Sequence, residues 1–172
     1  EPGGDVVLLV ASLRPGSAAR RARGLLRQPL RAAGVPDDAV HDCEITVSEL
    51  AANAERHAPP PYELRVFLVA GVPAWCEVVD ADPEPGKIGD AFDRLSVTTE
   101  PGAGLLAENG RGLLLAHRLS AGHCAAYRTS LVTVDVPGKA VAFTLPSPAG
   151  HRPAIAALPP TRPDQARLRR WT

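Results

Sequence analysis

Residues 37–58, DDAVHDCEITVSELAANAERHA, carry the clearest secondary-structure pattern of the 172-residue chain. Apolar or small side chains recur there every three or four positions, at Val40, Cys43, Val47, Leu50, Ala51, Ala54 and Ala58. Because an α-helix has 3.6 residues per turn, this spacing makes one buried stripe. Asp37 or Asp38 supplies the N-terminal cap, and the helix must end before Pro59. The segment predicts a long amphipathic helix that packs on a core.

Three polar residues, Glu49, Asn53 and His57, are spaced by four along the same helix. At about 100° per residue they share one face, roughly opposite the apolar stripe. A polar stripe of this kind is often only a solvated helix surface. Its meaning therefore depends on the chemistry carried by the rest of the chain.

The flanking segments predict an α+β fold, a two-layer sandwich with helices on one face of a mixed, mostly antiparallel sheet. Apolar or alternating runs bounded by turn residues indicate strands at 5–12, 62–70, 74–80, 124–128, 131–136 and 141–145. An Arg-rich helix is expected at 17–33, and another helix begins near Gly110. Residues 81–109 are rich in Gly and Pro and are predicted to form a long irregular loop.

Length and composition favour one globular domain followed by a tail. Hydrophobic residues make up 45% of the chain, which is enough for a single core. We predict that the domain covers residues 1–145. Residues 146–172 are rich in proline and end in ARLRRWT, so they are expected to form a basic, disordered tail.

Overall charge names no partner for the protein. Lys plus Arg and Asp plus Glu balance at 19 each, so no general field attracts nucleic acid or an anionic membrane. Six arginines between Leu13 and Arg31 form either a docking face or a solvated helix surface. No apolar run reaches the length of a membrane span, and three widely separated cysteines fit a reducing compartment. A cytoplasmic protein is therefore expected.

Two further features adjoin the predicted loop. The strand CEVVD, residues 76–80, carries a carboxylate, Asp80, to its end. The loop then finishes at Gly110-Arg111-Gly112, where a helix opens. A glycine-rich helix start presents free backbone N–H groups and the positive end of the helix dipole, and both favour a bound phosphate.

In their order and spacing, these segments resemble the ATP-binding boxes of GHKL ATPases. ELAANAERHA (49–58) is similar to the N box, VVDADP (78–83) to the first glycine box, and GRGLLLAHRLS (110–120) to the second. GKAVAFTL (138–145) resembles the closing strand of the same fold, the Bergerat or histidine-kinase-like ATPase fold. The resemblance is closest to bacterial anti-sigma-factor serine kinases.

The resemblance implies a site for ATP and Mg²⁺. Asn53 would ligate a Mg²⁺ ion that bridges the phosphates, which suits an amide oxygen and a hard cation. Asp80 would accept a hydrogen bond from the adenine amino group. Leu113, Leu114 and Val79 would form the apolar walls around the base.

The resemblance also assigns the groups around the phosphates. The backbone at Gly110 and Gly112 would approach the phosphates, and Arg111 or His57 would add positive charge there. Glu49 would be the general base that takes a proton from a serine hydroxyl or from water.

The chain departs from the family pattern at several positions. The first glycine box usually reads Asp-x-Gly-x-Gly, whereas ADPE follows Asp80 here, and Asp82 adds a carboxylate near an anionic ligand. Ala140 stands where relatives often carry a threonine near the adenine. Residues 82–109 would form the lid over the ATP.

Three functions follow from these observations. The resemblance implies an ATP-dependent serine kinase that phosphorylates an anti-sigma-factor antagonist and sequesters a sigma factor, and it is compatible with a homodimer. A catalytically inactive ATP-binding module that regulates a protein partner is the alternative. A sensor-kinase fragment ranks last because the 172 residues hold no phosphoacceptor-histidine helix pair. Glu49 favours catalysis, whereas the altered first box favours the inactive module.

Overall fold

The computed structural model describes residues 5–97, 110–149 and 167–171. Its strands are β1 (Val6–Leu13), β2 (Tyr62–Val69), β3 (Val72–Asp80), β4 (Cys124–Ser130), β5 (Pro137–Thr144) and β6 (Arg167–Arg170). Its helices are α1 (Ala18–Ala32), α2 (Asp37–His57), α3 (Gly86–Val97) and α4 (Gly110–Leu119). None of these four helices combines the length and the apolar composition that a transmembrane segment needs.

The described strands form one sheet in the order β4-β5-β3-β2-β1-β6. Neighbouring strands run antiparallel, except that β6 lies parallel to β1. The β2–β3 hairpin turns at Ala70 and Gly71, which both have positive φ. The sheet is therefore mixed and mostly antiparallel, as the sequence predicts.

The helices pack on one face of this sheet. Side chains alternate along β3, so Cys76 and Val78 belong to the main core under the helices while Val79 packs on the opposite face. Leu26 of α1 and Leu50 of α2 are buried in the same main core, and burial of such apolar surface is the chief stabilising term. All three cysteines are described, and each is buried and outside any disulfide. The predicted α+β sandwich is confirmed.

Polar contacts also join α1 to α2. Two of the six arginines near the N-terminus reach across to α2, since Arg23 donates to Ser48 at 2.8 Å and Arg27 pairs with Glu44. Glu55 of α2 accepts hydrogen bonds from the backbone N–H of Gly16, just before α1, and from that of Ala18, the first residue of α1. These arginines therefore serve the packing of the two helices.

Residues 81–109 are not wholly irregular, because Gly86–Val97 form helix α3. Four apolar residues recur there at helical spacing and pack on the main core: Ile88, Ala91, Phe92 and Leu95. The glycine at position 89 and the prolines before the helix favoured a loop in the sequence analysis, but the apolar spacing decides the structure. Residues 98–109 of the predicted loop lie outside the described residues.

Two other predictions need correction. Residues 131–136 form the turn between β4 and β5 instead of a strand, with Asp135 at a φ of 48°. In the tail expected to be disordered, Arg167–Arg170 form β6, and Trp171 packs against the main core. Pairing with β1 supplies hydrogen-bond partners for the backbone of β6, and the composition of the tail does not reveal this pairing. Residues 150–166 lie outside the described part of the chain.

The sheet face opposite the helices buries a cluster of charged side chains on β2 and β3. Glu63, Arg65 and Glu77 are each at most 1% exposed. The Arg65 guanidinium donates to Glu63 at 3.2 Å and lies 3.8 Å from Glu77. Thr133 donates its N–H and its hydroxyl to Glu63, each at 2.6 Å, and Tyr127 donates to Glu77. Burial raises the pKa of Glu77, whereas the Arg65 charge lowers it.

Candidate functional site

The three polar residues predicted on α2 differ in burial. His57 is exposed and Glu49 is half-buried, whereas Asn53 is only 7% exposed. Asn53 lines the same cavity as Leu50 and Ala54. The prediction that the polar stripe lies opposite the apolar one is wrong for Asn53, because residues three positions apart on a helix are separated by only about 60°.

Asp80 ends β3 and lines this cavity across from Asn53. The residue is 1% exposed. Its Oδ1 accepts hydrogen bonds from Lys139 Nζ at 2.9 Å and from the backbone N–H of Asp82 at 2.9 Å. Burial raises the pKa of Asp80, while the Lys139 hydrogen bond and the Asp82 amide lower it. The carboxylate is thereby fixed in orientation at the wall of the cavity.

Lys139 is the site residue that the sequence analysis missed. It lies directly opposite Asp80 in the β3–β5 ladder, is 4% exposed, and places Nζ 3.5 Å from Asp82 Oδ2. Cross-strand partners project to the same face of a sheet, so the lysine meets the aspartate. The available signal was a single lysine at the start of the apolar strand GKAVAFTL.

Ala140 and Val79 do not face the cavity. They are cross-strand partners and pack with Leu131 on the opposite side of the sheet. The expectations that Ala140 stands near an adenine and that Val79 is a wall of its site are therefore wrong, since side chains alternate along a strand. Val78 and Val141 line the cavity instead.

The cavity lies between α2, α3 and the paired strands β3 and β5. Its lining includes the polar residues Asn53, His57, Asp80 and Lys139 and the apolar residues Leu50 and Ile88. Its volume is about 10 Å³, which is room for about one water molecule. A larger ligand therefore requires the cavity to widen.

The second glycine box begins α4, and its first turn packs against α2. At Gly112 an added Cβ would lie 2.8 Å from Glu49 Oε2, so the glutamate carboxylate contacts the helix start. Gly110 and Arg111 belong to the same turn, and the Arg111 side chain lies outside the described atoms. Leu113 is 6% exposed within the main core, and the cavity lining does not include it.

The segment after Asp80 forms a turn without the glycines of the family pattern. The N–H of Asp82 donates to Asp80 Oδ1, and the N–H of Glu84 donates to Asp82 Oδ1 at 3.1 Å. Such Asx turns hold the backbone through aspartate side chains. Residues 81–84, all of them described, have no positive φ, so this turn does not require glycine. The Asp82 carboxylate faces Lys139, which offsets its charge.

Gly138 lies where β5 approaches β3 most closely. A Cβ there would be 2.0 Å from the backbone oxygen of Asp80 and 2.7 Å from Leu131 Cδ1. Because two paired strands would have to separate, we expect Gly138→Ala to lower the free energy of unfolding by about 1–3 kcal/mol, measured by urea unfolding. Gly24→Ala is the control, since a Cβ on α1 meets nothing within 4 Å. Equal stability of the two variants would contradict the prediction.

The sandwich fold and the polar groups gathered at α2, β3 and the start of α4 define a GHKL-type ATPase domain. A family model described as the histidine kinase-like ATPase domain matches residues 11–136. The chain belongs to this family. A comparison with curated proteins finds no match.

The described residues suit ATP and Mg²⁺ by their chemistry. Asn53 offers an amide oxygen, a kind of ligand that Mg²⁺ prefers, and Mg²⁺ bound with a nucleotide needs only one or two protein ligands. The first turn of α4 offers N–H groups to phosphates. Asp80 and Lys139 offer an acceptor and a donor to a base. The donor set fits the nucleotide, and the cavity must widen to admit the base.

Proposed function

We propose that the protein is an ATP-dependent serine kinase that acts as an anti-sigma factor and phosphorylates an anti-sigma-factor antagonist. Family membership supports ATP binding. The position of Glu49 carries the kinase part of the proposal, because its carboxylate contacts the first turn of α4 and lies one helical turn before Asn53. A carboxylate between a phosphate-binding helix start and a metal ligand is placed to accept a proton from an attacking hydroxyl.

The binding groups hold the nucleotide in this proposal. Bound Mg-ATP supplies the transferable phosphoryl group. Asn53 would hold Mg²⁺ through its amide oxygen, and Asp80 would accept a hydrogen bond from the base. The backbone N–H groups at Gly110 and Gly112 bind the phosphates at the positive end of the α4 dipole.

A carboxylate and a positively charged side chain act on the transfer itself. Glu49 removes the proton from the serine hydroxyl of the protein substrate. Arg111 or His57 adds positive charge beside the phosphates and stabilises the negative charge that spreads over the phosphate oxygens during transfer. Little covalent chemistry is needed from the protein, because phosphoryl transfer depends mainly on position and charge.

The proposed partners are a sigma factor and an anti-sigma-factor antagonist. The protein would bind both in the cytoplasm and would not itself bind nucleic acid or a membrane. Exposed arginines at and beside α1 support a docking face for an acidic protein surface: Arg14, Arg20, Arg21 and Arg31. Transfer of labelled phosphate from ATP to a serine of candidate antagonists is the direct test. Sedimentation of the same sample tests the proposed homodimer.

A second candidate is a catalytically inactive ATP-binding module that regulates a partner by binding alone. The altered first glycine box favours this function, because ADPE follows Asp80 where the family pattern has two glycines. Nucleotide binding without transfer to any partner and without hydrolysis would decide for this alternative.

The first binding prediction concerns Asn53. We expect Asn53→Ala to weaken Mg-ATP binding by about 10- to 100-fold in calorimetry, because the variant lacks the amide that ligates or hydrogen-bonds the charged ligand. Asn53 is buried, so a loss of stability of about 1 kcal/mol is expected as well.

Thr46→Ala is the matched control for this prediction. Thr46 is also a buried polar residue of α2, but its hydroxyl donates to the Asp42 carbonyl at 2.9 Å and it does not line the cavity. The control should lose stability and keep Mg-ATP affinity. If both variants lose Mg-ATP affinity equally, Asn53 has a structural role only. If the wild type gives no heat at millimolar Mg-ATP, the assignment of a nucleotide site is itself wrong.

A further inference from the structure

We propose that Lys139 determines base specificity, so that with Asp80 it lets the site accept 6-oxopurine nucleotides such as GTP as well as ATP. The inference rests on the proposed function, since it requires the base to lie against Asp80. Its first support is the fixed position of the lysine. Lys139 is 4% exposed, and its place in the ladder directly opposite Asp80 brings Nζ to 2.9 Å from Oδ1.

The pair has hydrogen-bonding capacity left for a ligand. An ammonium group has three N–H donors, and Asp80 and Asp82, at 2.9 and 3.5 Å, engage at most two of them from Lys139. Within the described residues, the hydrogen bonds to the Asp80 side chain all go to Oδ1, so Oδ2 retains its lone pairs. Both residues line the cavity. The cavity therefore offers one donor beside one acceptor.

A base edge with one acceptor beside one donor complements this pair. Adenine presents an amino donor at C6 and the acceptor N1, whereas guanine and hypoxanthine present the acceptor O6 and the donor N1–H. A carboxylate alone is acceptor-only, so it suits the adenine amino group and repels O6. With the lysine beside it, O6 gains a donor while N1–H still finds the carboxylate. Lys139 therefore removes the penalty that a lone Asp80 imposes on a 6-oxopurine.

The lysine also changes the charge of the cavity. Asp80 and Asp82 would otherwise place two carboxylates near a polyanionic nucleotide, and Lys139 contacts both of them. Because a buried acceptor left without a donor is disfavoured, we expect the loss of Lys139 to weaken 6-oxopurine binding by about 10- to 100-fold. The affinity for ATP falls less, since the adenine amino group still donates to Asp80.

Calorimetry with the full chain tests this, using Mg-ATP, Mg-GTP and Mg-ITP. In the wild type we expect GTP and ITP to bind within about tenfold of ATP, because each base finds one donor and one acceptor. In Lys139→Met the ratio of the GTP to the ATP dissociation constant should rise by about 10- to 100-fold. Lys87→Met is the matched control, because it removes the same charge from an exposed site on α3 and should leave the ratio unchanged.

The outcomes separate this inference from the proposed function. ATP binding with GTP and ITP each more than about tenfold weaker in the wild type overturns the role of Lys139 and leaves the ATP site intact. An unchanged ratio in Lys139→Met, with the variant folded by circular dichroism, also overturns it. If Lys139→Met does not fold, the wild-type ITP measurement still decides. Binding of none of the three nucleotides overturns the proposed function together with this inference.

Discussion

The Glu49→Gln variant is expected to transfer phosphate, or to hydrolyse ATP, about 10²- to 10⁴-fold more slowly than the wild type, with unchanged affinity for Mg-ATP. Glutamine keeps the shape of the side chain and its contact with the first turn of α4, but it does not accept a proton from the attacking hydroxyl. The loss therefore falls on the chemical step. Single-turnover transfer at saturating Mg-ATP, with the cognate partner supplied, measures it.

Glu44→Gln is the control for this experiment. Glu44 lies on the same helix and is also partly buried, but it pairs with Arg27 of α1, away from α4. It should transfer phosphate at the wild-type rate. If Glu49→Gln matches the wild type, Glu49 is a surface carboxylate and another group removes the proton. If the wild type itself binds ATP but neither transfers nor hydrolyses, the inactive binding module is the function.

The Arg65→Met variant is expected to lose about 3–5 kcal/mol of unfolding free energy. Arg65 is 1% exposed and lies between Glu63 and Glu77, so its removal leaves two buried carboxylates without their cation. Its guanidinium also donates to the Ser130 carbonyl at 2.5 Å, which ties β2 to the end of β4. Urea unfolding followed by circular dichroism measures the loss.

The exposed ion pair of Arg128 with Glu84 provides the control. Both side chains are at least 66% exposed, so Arg128→Met should cost less than about 1 kcal/mol. Adding Glu63→Gln to Arg65→Met should destabilise less than the sum of the two single changes, because the uncompensated charge is removed. An effect of Arg65→Met no larger than that of Arg128→Met would contradict the account of the buried cluster.

The sequence predicts the helix-on-sheet fold well because the strongest local patterns agree with the tertiary structure. The apolar stripe of α2 and the inward-facing residues of β2 and β3 are all buried in the same main core. Asp80 at the end of β3 and the glycines at the start of α4 also lie where the motif order places them.

The features that escaped prediction depend on distant contacts or on weak local signals. β6 exists through its pairing with β1, which is more than 150 residues earlier in the chain. Lys139 lines the cavity because the strand register sets it opposite Asp80, whereas the sequence analysis expected the next residue, Ala140, to lie near the adenine. Asn53 lines the cavity together with Ile88 of α3, and the sequence analysis missed α3 because of its glycines and the prolines before it.

Because the cavity beside Asp80 is small, nucleotide affinity depends on the fraction of molecules whose cavity can admit a base. At about 10 Å³ it is too small for a base, so a form that binds a base there has a wider cavity. If that form makes up about 1% of the molecules, the apparent dissociation constant is about 100-fold weaker than that of the open site. A partner protein that binds only the form with the wider cavity would therefore tighten nucleotide binding without contacting the nucleotide. By linkage, the nucleotide would strengthen binding of that partner by the same factor.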